Sequence, residues 1–274
     1  MESIIVAVDF SKVSVNAARY AAEMANFYNA RLWVYHCYKL PITYTEIGYP
    51  FVSAAELQNV AEFEMQELVK ELSGIPGQTI AIEGKVELAG LMDGLTAFCI
   101  EMKADMLVMG IAGKGTLQRL LVGSNTLHAI QHLHYPVLII PGGASFSNID
   151  KIGLAVDFEN PMSDKTIGIV NSITTTFNAA LYVINVDWND RHYSEASKQQ
   201  QALLHQRLTG KTVHFRSLQS EHVSTAINEF TKTETINLLI TLPKKHNLVE
   251  KLFSLAHTPE LLHHTQVPVL CIPE

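Results

Sequence analysis

Glycines, a lysine and hydroxyl-bearing side chains cluster in the stretch that follows the apolar run Met106–Met109. The cluster consists of Gly110, Gly113, Lys114, Gly123, Ser124, Asn125 and Thr126. Glycine lets the backbone approach a phosphate closely, and the free N–H groups at a helix start, here predicted at Ser124, attract anions. The lysine adds positive charge and the hydroxyls add hydrogen bonds. The pattern predicts a phosphate-binding loop, although the same residues also serve in ordinary turns and as helix N-caps.

Other nucleotide and catalytic signatures do not fit the chain. Lys114 is not followed by Ser or Thr at the Walker A spacing, and no G-x-G-x-x-G follows the first strand, so NAD or FAD binding is unsupported. No G-x-S-x-G elbow for a serine nucleophile is present. The histidines between His257 and His264 lack the spacing of zinc ligands, which favours packing or surface roles. We therefore predict no catalytic residue and no metal site.

The elements that must position the glycine cluster alternate between strand and helix patterns. Predicted strands of the first half are Ile4–Val8, Arg31–His36, Thr79–Val86, Met106–Met109 and Val137–Ile140, and predicted helices are Ser11–Tyr28, Ala54–Leu72, Leu88–Met102 and Ser124–Leu133. Such alternation predicts a parallel sheet covered on both faces. Ligands of these sheets bind beyond the carboxyl ends of the strands. The residues after Val8, Tyr35 and Met109 are therefore the place to expect chemistry.

Two short strings occur twice in the chain and in the same order. Ala7-Val8-Asp9-Phe10 returns as Ala155-Val156-Asp157-Phe158, and Pro136-Val137-Leu138 returns as Pro268-Val269-Leu270. The second half repeats the strand and helix order, with predicted helices that include Tyr193–Leu208 and Leu248–His264. Two matches at similar spacing indicate a duplication. The small, polar link 142–148 marks the boundary, so we predict domains at 1–143 and 149–274.

The first half resembles the universal stress protein family. Gly110, two residues, Gly113, nine residues and Gly123-Ser124 resemble the family's ATP-binding signature. Val6–Ser11, Ala104–Gly110 and Tyr135–Pro141 resemble its first, fourth and last strands. The resemblance covers residues 1–141 well and 150–273 more loosely, so the chain resembles a tandem-type member.

The resemblance implies an α/β fold of two tandem Rossmann-like, adenine nucleotide α-hydrolase-like domains, each a five-stranded parallel sheet with helices on both faces. It also implies an ATP site, because some members of the family bind ATP. With Lys114 added by its charge, the implied site residues are Ala7, Asp9, Cys37, Met109, Gly110, Gly113, Lys114, Gly123, Ser124 and Asn125.

Each part of the implied site contacts one part of the nucleotide. Ala7 and Asp9 face adenine and ribose, and Cys37 offers its backbone to adenine. Met109 and Gly110 approach ribose and phosphate. The remaining loop and helix residues hold the phosphates, and at position 125 an asparagine replaces the family's usual small or aliphatic residue. Asp9 as a turn residue and Cys37 as a core residue stay open as alternatives.

The second half lacks the glycines of the cluster. With the halves offset so that Pro136 meets Pro268, Gly110 meets Leu242, Gly113 meets Lys245, Gly123 meets Leu255 and Ser124 meets Ala256. Leucine rarely takes positive φ, and its side chain fills space that a phosphate needs. We therefore predict that the second half does not bind ATP in the family's manner. Its own role, whether structural, regulatory or for another ligand, stays open, and Asp157 is expected to be a structural remnant.

Composition limits the partners and the compartment. The 274 residues carry a formal net charge of −7, which argues against nucleic acid as a partner. No apolar run approaches the ~20 residues that span a bilayer, so no membrane partner is expected. Cys37, Cys99 and Cys271 have no CxxC spacing, which fits free thiols in a cytoplasmic protein. Val137–Ile140 and Val269–Ile272 are expected to pair within the chain as a pseudo-dimer, and a homodimer of chains stays open.

These observations lead to one function and two alternatives. The expected function is a cytoplasmic stress-response protein whose N-terminal domain binds ATP, alone or with Mg²⁺, as a sensor or switch. No general base is evident for attack on the γ-phosphate, and slow hydrolysis stays open. The first alternative is an interaction or scaffold module whose pocket is empty or holds another ligand. The second is a slow ATPase or ATP-dependent transferase on the same fold.

Overall fold

The structure is a computed structural model of the chain, and it describes residues 1–40, 53–111, 124–158, 161–187, 195–210, 212–243, 260–262 and 265–273. The chain forms two compact units, Met1–Gly110 and Ile111–Glu274. In both units, strands alternate with helices, so the predicted α/β class of two tandem Rossmann-like domains is confirmed. The domain boundaries drawn from the sequence, 1–143 and 149–274, stay a prediction.

The first unit is a parallel sheet with helices packed against it. Its strands are β1 (Ser3–Ala7), β2 (Arg31–Tyr38), β3 (Ile82–Leu88) and β4 (Met106–Ile111), and its helices are α1 (Lys12–Phe27), α2 (Ala54–Ser73) and α3 (Leu91–Glu101). The strand order is β3-β2-β1-β4. Helices α1 and α2 pack against each other and against β2. Right-handed crossovers place α3, which returns the chain from β3 to β4, on the opposite face.

The second unit holds the end of the first half and the whole second half of the chain. Its described strands are β5 (Val137–Pro141), β6 (Lys151–Ala155), β7 (Ala180–Asp187), β8 (Val213–Gln219), β9 (Leu238–Thr241) and β10 (Val269–Cys271). Its described helices are α4 (Ser124–His132), α5 (Asp164–Phe177), α6 (Glu195–Arg207) and α7 (Val223–Thr233). The order is β5-β10-β9-β6-β7-β8, and only the β5–β10 pair of these described strands is antiparallel. The expected pairing of the two last strands is therefore confirmed, with Leu138 opposite Leu270.

Two elements, β3 and α3, begin three residues later than expected. The third strand begins at Ile82 and not at Thr79, because the N–H and hydroxyl of Thr79 donate to Asn26 Oδ1 at 2.8 and 2.9 Å and tie it to the end of α1. Helix α3 begins at Leu91 and not at Leu88, because the N–H of Ala89 still donates to the carbonyl of Tyr38 in β2. Most of the predicted helix Leu248–His264 lies outside the described residues. The described part of that range, 260–262, is helical.

The duplication is visible in details of the backbone as well as in the sequence. Asp105 in the first half accepts a hydrogen bond from the Ser3 N–H at 3.1 Å, and Asn237, its counterpart, accepts one from the Lys151 N–H at 3.0 Å. Both side chains therefore brace the start of the first strand of their half. Lys103 and Thr235 are likewise counterparts, and both take left-handed backbone angles after a helix. Residues at equivalent positions thus have equivalent structural roles, which supports the duplication.

Candidate functional site

The carboxyl ends of β1, β2 and β4 form one edge of the first unit, and several predicted site residues lie there. Ala7 and Met109 directly follow Val6 and Val108, which are partners in the parallel β1–β4 pair, and both are buried. Cys37 lies near the end of β2 and is half-buried. Partial burial raises the pKa of the Cys37 thiol, so at neutral pH it is protonated and a poor nucleophile. The structure therefore brings Ala7, Cys37 and Met109 to the same end of the sheet.

Asp9 lies two residues past β1, in the turn that starts α1. Its Oδ1 accepts the N–H of Ser11 at 3.0 Å, and its own N–H donates to Ser14 Oγ at 3.2 Å. The Ser11 side chain in turn caps α1 by accepting the Ser14 N–H. Asp9 is thus held in an Asx-type turn, in which a short carboxylate bonds the backbone two residues on. The turn role that the sequence left open is present, and it leaves the side chain exposed at the site edge.

The Asp9 carboxylate is favoured in its charged form. Partial burial raises its pKa, but hydrogen bonds from Ser11 and Ser14 outweigh the burial and hold the pKa below its usual value. Hydrogen bonds to the charged form stabilise that form. Asp9 is therefore an ionised acceptor at neutral pH, suited to neutral donors such as hydroxyl groups.

Phe10 and His36 also belong to this edge, although no sequence pattern singled them out. Phe10 has a φ of 60°, which is rare for a bulky side chain, and its ring lies 4.5 Å from the His36 ring between centroids. His36 Nδ1 donates to the carbonyl of Val8 at 2.8 Å. The pair closes the β1–β2 corner of the edge. The available signals were the recurrence of Asp-Phe in both halves and a polar residue inside an apolar strand.

Gly110 has a packing reason to be glycine. A Cβ added to Gly110 would lie 2.7 Å from the carbonyl oxygen of Val13 and 2.9 Å from a Val13 methyl group. The first turn of α1 passes too close to β4 for any side chain there. This close approach is independent of any phosphate, and it excludes a side chain at position 110, one residue before the end of β4.

The remaining predicted site residues are not part of the described edge. Gly113, Lys114 and Gly123 lie outside the described residues. Ser124 is the first residue of α4 and Asn125 is exposed on it, and this helix belongs to the second compact unit. Their roles stay predictions.

The equivalent edge of the second half is filled by side chains. Leu242 stands at the position of Gly110 and is buried, and Phe158, the counterpart of Phe10, is buried as well. The cap of α5, Ser163, follows Asp157 by six residues, whereas Ser11 follows Asp9 by two.

One hydrogen bond at this edge is kept with a different residue. The amide of Asn185 in β7 donates to the carbonyl of Val156 at 3.1 Å, as His36 does to Val8. Asn185 is buried, whereas His36 is half-buried. In each half, a polar side chain of the second strand therefore donates a hydrogen bond to the carbonyl that directly follows the first strand. The donor is half-buried in the first half and buried in the second.

Membrane-spanning helices and metal-ligand clusters are both absent from the described part of the chain. No described helix is long and apolar enough to cross a membrane. Within the described ranges, no three His, Cys, Asp or Glu side chains are grouped as metal ligands would be.

The fold and this edge define a tandem, Rossmann-like α/β protein. The sequence model of the universal stress protein family matches residues 1–141. The chain therefore belongs to the universal stress protein family.

Individual relatives agree with this assignment. A universal stress protein of Methanocaldococcus jannaschii is 31% identical over 146 residues, which are 51% of this chain and 81% of that protein. One from Thermus aquaticus is 28% identical over 141 residues, covering 51% of this chain and 98% of that protein. The crystal structure of a universal stress protein from Archaeoglobus fulgidus covers 99% of this chain and 98% of its own, with a TM-score of 0.72 and 14% identity. At that identity, the structural likeness shows the fold alone.

Proposed function

We propose that this universal stress protein binds ATP, or a related adenine nucleotide, in its first half and responds to it as a sensor or switch in the cytoplasm. The second half does not bind a nucleotide in the same manner. The protein is then a ligand-responsive module in a stress response and needs no catalytic turnover. The site residues are those that the sequence predicted, with Asp9 and Gly110 as its described centre.

The contrast at the end of the fourth strand carries the proposal. In the first half, Gly110 leaves the next-to-last position of β4 without a side chain, and the glycine-containing segment follows the strand. In the second half, the buried side chain of Leu242 occupies the equivalent position. Parallel α/β sheets bind ligands at this end, where the backbone must be approached closely. Among the described residues, the side chain that stands at this position in the second half is absent at Gly110 in the first half.

Asp9 supplies the second support. A carboxylate with a lowered pKa, exposed at the end of β1, is a charged acceptor for the hydroxyl groups of a ribose. It would repel the phosphates, so the nucleotide is expected to bind with its sugar near β1. The phosphates would then extend towards the glycines and Lys114. Mg²⁺ would bind together with ATP, coordinated mainly by oxygens of the triphosphate and by water, as is usual for this ion.

The test uses matched substitutions of the two aspartates. Purified protein is heated with and without millimolar Mg-ATP, and the shift in melting temperature caused by ATP is compared among variants. A ligand that binds only the folded state raises the melting temperature. We expect a clear shift in the wild type, a reduced shift in Asp9→Ala, and the full shift in Asp157→Ala.

Glycine variants provide an independent check. Gly113→Leu is expected to abolish the ATP shift, whereas Leu242→Gly is expected to leave it unchanged. An equal loss of the shift in Asp9→Ala and Asp157→Ala, or a full shift in Gly113→Leu, would contradict the proposal. Because each shift is measured within one variant, a change in that variant's own stability does not affect the comparison.

A further inference from the structure

A surface groove of about 540 Å³ runs along α1 and α2 of the first unit. Phe10 and Val15 line it on the α1 side, and Phe63 and Leu68 line it on the α2 side. Phe63 is 65% exposed, and Val60, one helical turn before it, is 59% exposed. Isolated exposed apolar residues are common, but two on the same face beside an apolar groove form a patch of the kind that binds partners.

The groove is bordered by negative charge. Helix α2 contains five glutamates and one lysine, an excess of four negative charges. Glu64 and Glu67 border the groove next to Phe63. Glu71 is paired with Arg19 at one end, and the contact of Glu67 with Lys70 is long, at 3.8 Å, and exposed. Three carboxylates, of Glu64, Glu67 and Glu71, thus face two cations, of Lys70 on the lining and Arg19 beside it, so the rim keeps an excess of one negative charge.

The length of the groove suits a short helix. Phe63 and Gly74, both on its lining, are separated by eleven positions of α2 and its cap, which is about 16 Å at 1.5 Å per residue. That distance is about three turns of a helix lying alongside. Helices that bind in grooves place apolar side chains at i, i+3 or i+4, and i+7 into the groove and keep polar side chains at the rim.

We propose that this groove binds a basic amphipathic helix of a partner protein. The apolar face of the helix packs on Phe63, Val15 and Phe10, and its Lys or Arg side chains face Glu64 and Glu67. An anionic membrane surface is disfavoured by the same charges. The proposal goes beyond nucleotide binding and does not depend on it, so its test is carried out without nucleotide.

The test uses two synthetic peptides of about 18 residues, about 27 Å as a helix. Both peptides carry leucines at helical spacing. All remaining positions are lysine in one peptide and glutamate in the other. Fluorescence anisotropy of the labelled peptides measures their binding to the full chain. We expect the lysine peptide to bind at least about tenfold more tightly than the glutamate peptide, because complementary charge selects the partner. Equal binding of both peptides, or binding of neither, would overturn the proposal.

Matched variants locate the site. Phe63→Ser is expected to weaken the lysine peptide at least about tenfold, as an aromatic hot spot does. Ile100→Ser, on α3 and 63% exposed in the wild type, is the control and should leave binding unchanged. The double charge reversal Glu64→Lys with Glu67→Lys should reverse the preference between the peptides. Equal effects of Phe63→Ser and Ile100→Ser would contradict the site.

A second copy of the chain is the main competing occupant. Light scattering of the wild type and of Phe63→Ser distinguishes it. An unchanged oligomeric state in the variant is expected. A wild-type dimer that dissociates in Phe63→Ser would assign the groove to self-association and overturn the proposal.

Discussion

The carbonyl oxygen of Val13 lies where a side chain of Gly110 would have to be, 2.7 Å from the position of its Cβ. This contact fixes how closely the start of α1 approaches the end of β4. Because real Cβ atoms almost never come this close to another atom, the glycine is required by the fold itself. The same contact keeps the proposed nucleotide edge open.

Gly110→Ala is therefore expected to destabilise the first unit by about 1–3 kcal/mol, the usual cost of overpacking. Gly74→Ala is the matched control, because Gly74 has ordinary helical angles and its Cβ would meet only carbonyl oxygens at 3.4 Å. It should be neutral or stabilising by up to about 1 kcal/mol. Urea unfolding followed by Trp33 fluorescence, in a Trp188→Phe background, measures both free energies. Equal effects of the two substitutions would show that the contact is not rigid.

A second glycine is fixed by a tyrosine. The hydroxyl of Tyr35 donates to Glu87 at 2.8 Å and would clash with a Cβ on Gly94 in α3. Gly94→Ala is expected to cost about 1–3 kcal/mol, although alanine is the better helix former. In a Tyr35→Phe background the cost should fall by about 1 kcal/mol, as for residues in direct contact. Additive free energies in this double-mutant cycle would contradict the assignment.

The hydrogen bonds from Asn185 to the Val156 carbonyl and from His36 to the Val8 carbonyl should contribute unequally to the free energy of unfolding. Asn185→Ala leaves the carbonyl of Val156 without this donor in a buried place and is expected to cost about 1–3 kcal/mol. His36→Ala should cost less, because the His36 side chain is half-buried and water replaces its lost hydrogen bond to the Val8 carbonyl more easily than at buried Asn185. His36→Asn, which copies the second half, should recover part of the loss. Chemical denaturation of the three variants checks the order, and a larger cost for His36→Ala would reverse it.

The pH dependence of Asp9 follows from its lowered pKa. Because the folded-state pKa lies below the unfolded value, the charged group contributes stability above the unfolded pKa of about 3.9. That contribution is lost as the pH falls through the folded-state pKa. The stability of wild type relative to Asp9→Asn should therefore be higher at neutral pH and should converge in acid. An NMR titration of the Asp9 carboxyl should give a midpoint below about 3.9, and a midpoint above it would contradict the hydrogen-bond argument.

Much of the fold followed from local patterns. Apolar runs located the strands, and Ser11 marked the start of α1 because a hydroxyl before an apolar periodic segment is an N-cap signal. The start of β3 was placed too early because its competitor, the Asn26 side chain, is distant in sequence. Local patterns cannot report a hydrogen bond that depends on tertiary packing.

The candidate site was predictable in its location but not in its details. Strand alternation placed Asp9 and Gly110 at the carboxyl edge. The left-handed backbone of Phe10 was not predictable, because phenylalanine disfavours it and only the surrounding turn imposes it. The packing role of Gly110 was also hidden, since it depends on where α1 passes β4.

The number of nucleotides bound per chain tests the central claim most directly. Isothermal titration of the full-length protein with Mg-ATP, after removal of any co-purified nucleotide, gives that number. One ATP per chain, lost in Asp9→Ala and retained in Asp157→Ala, is the expected result. Two ATP per chain, or none at millimolar concentration, would contradict a nucleotide site confined to the first half.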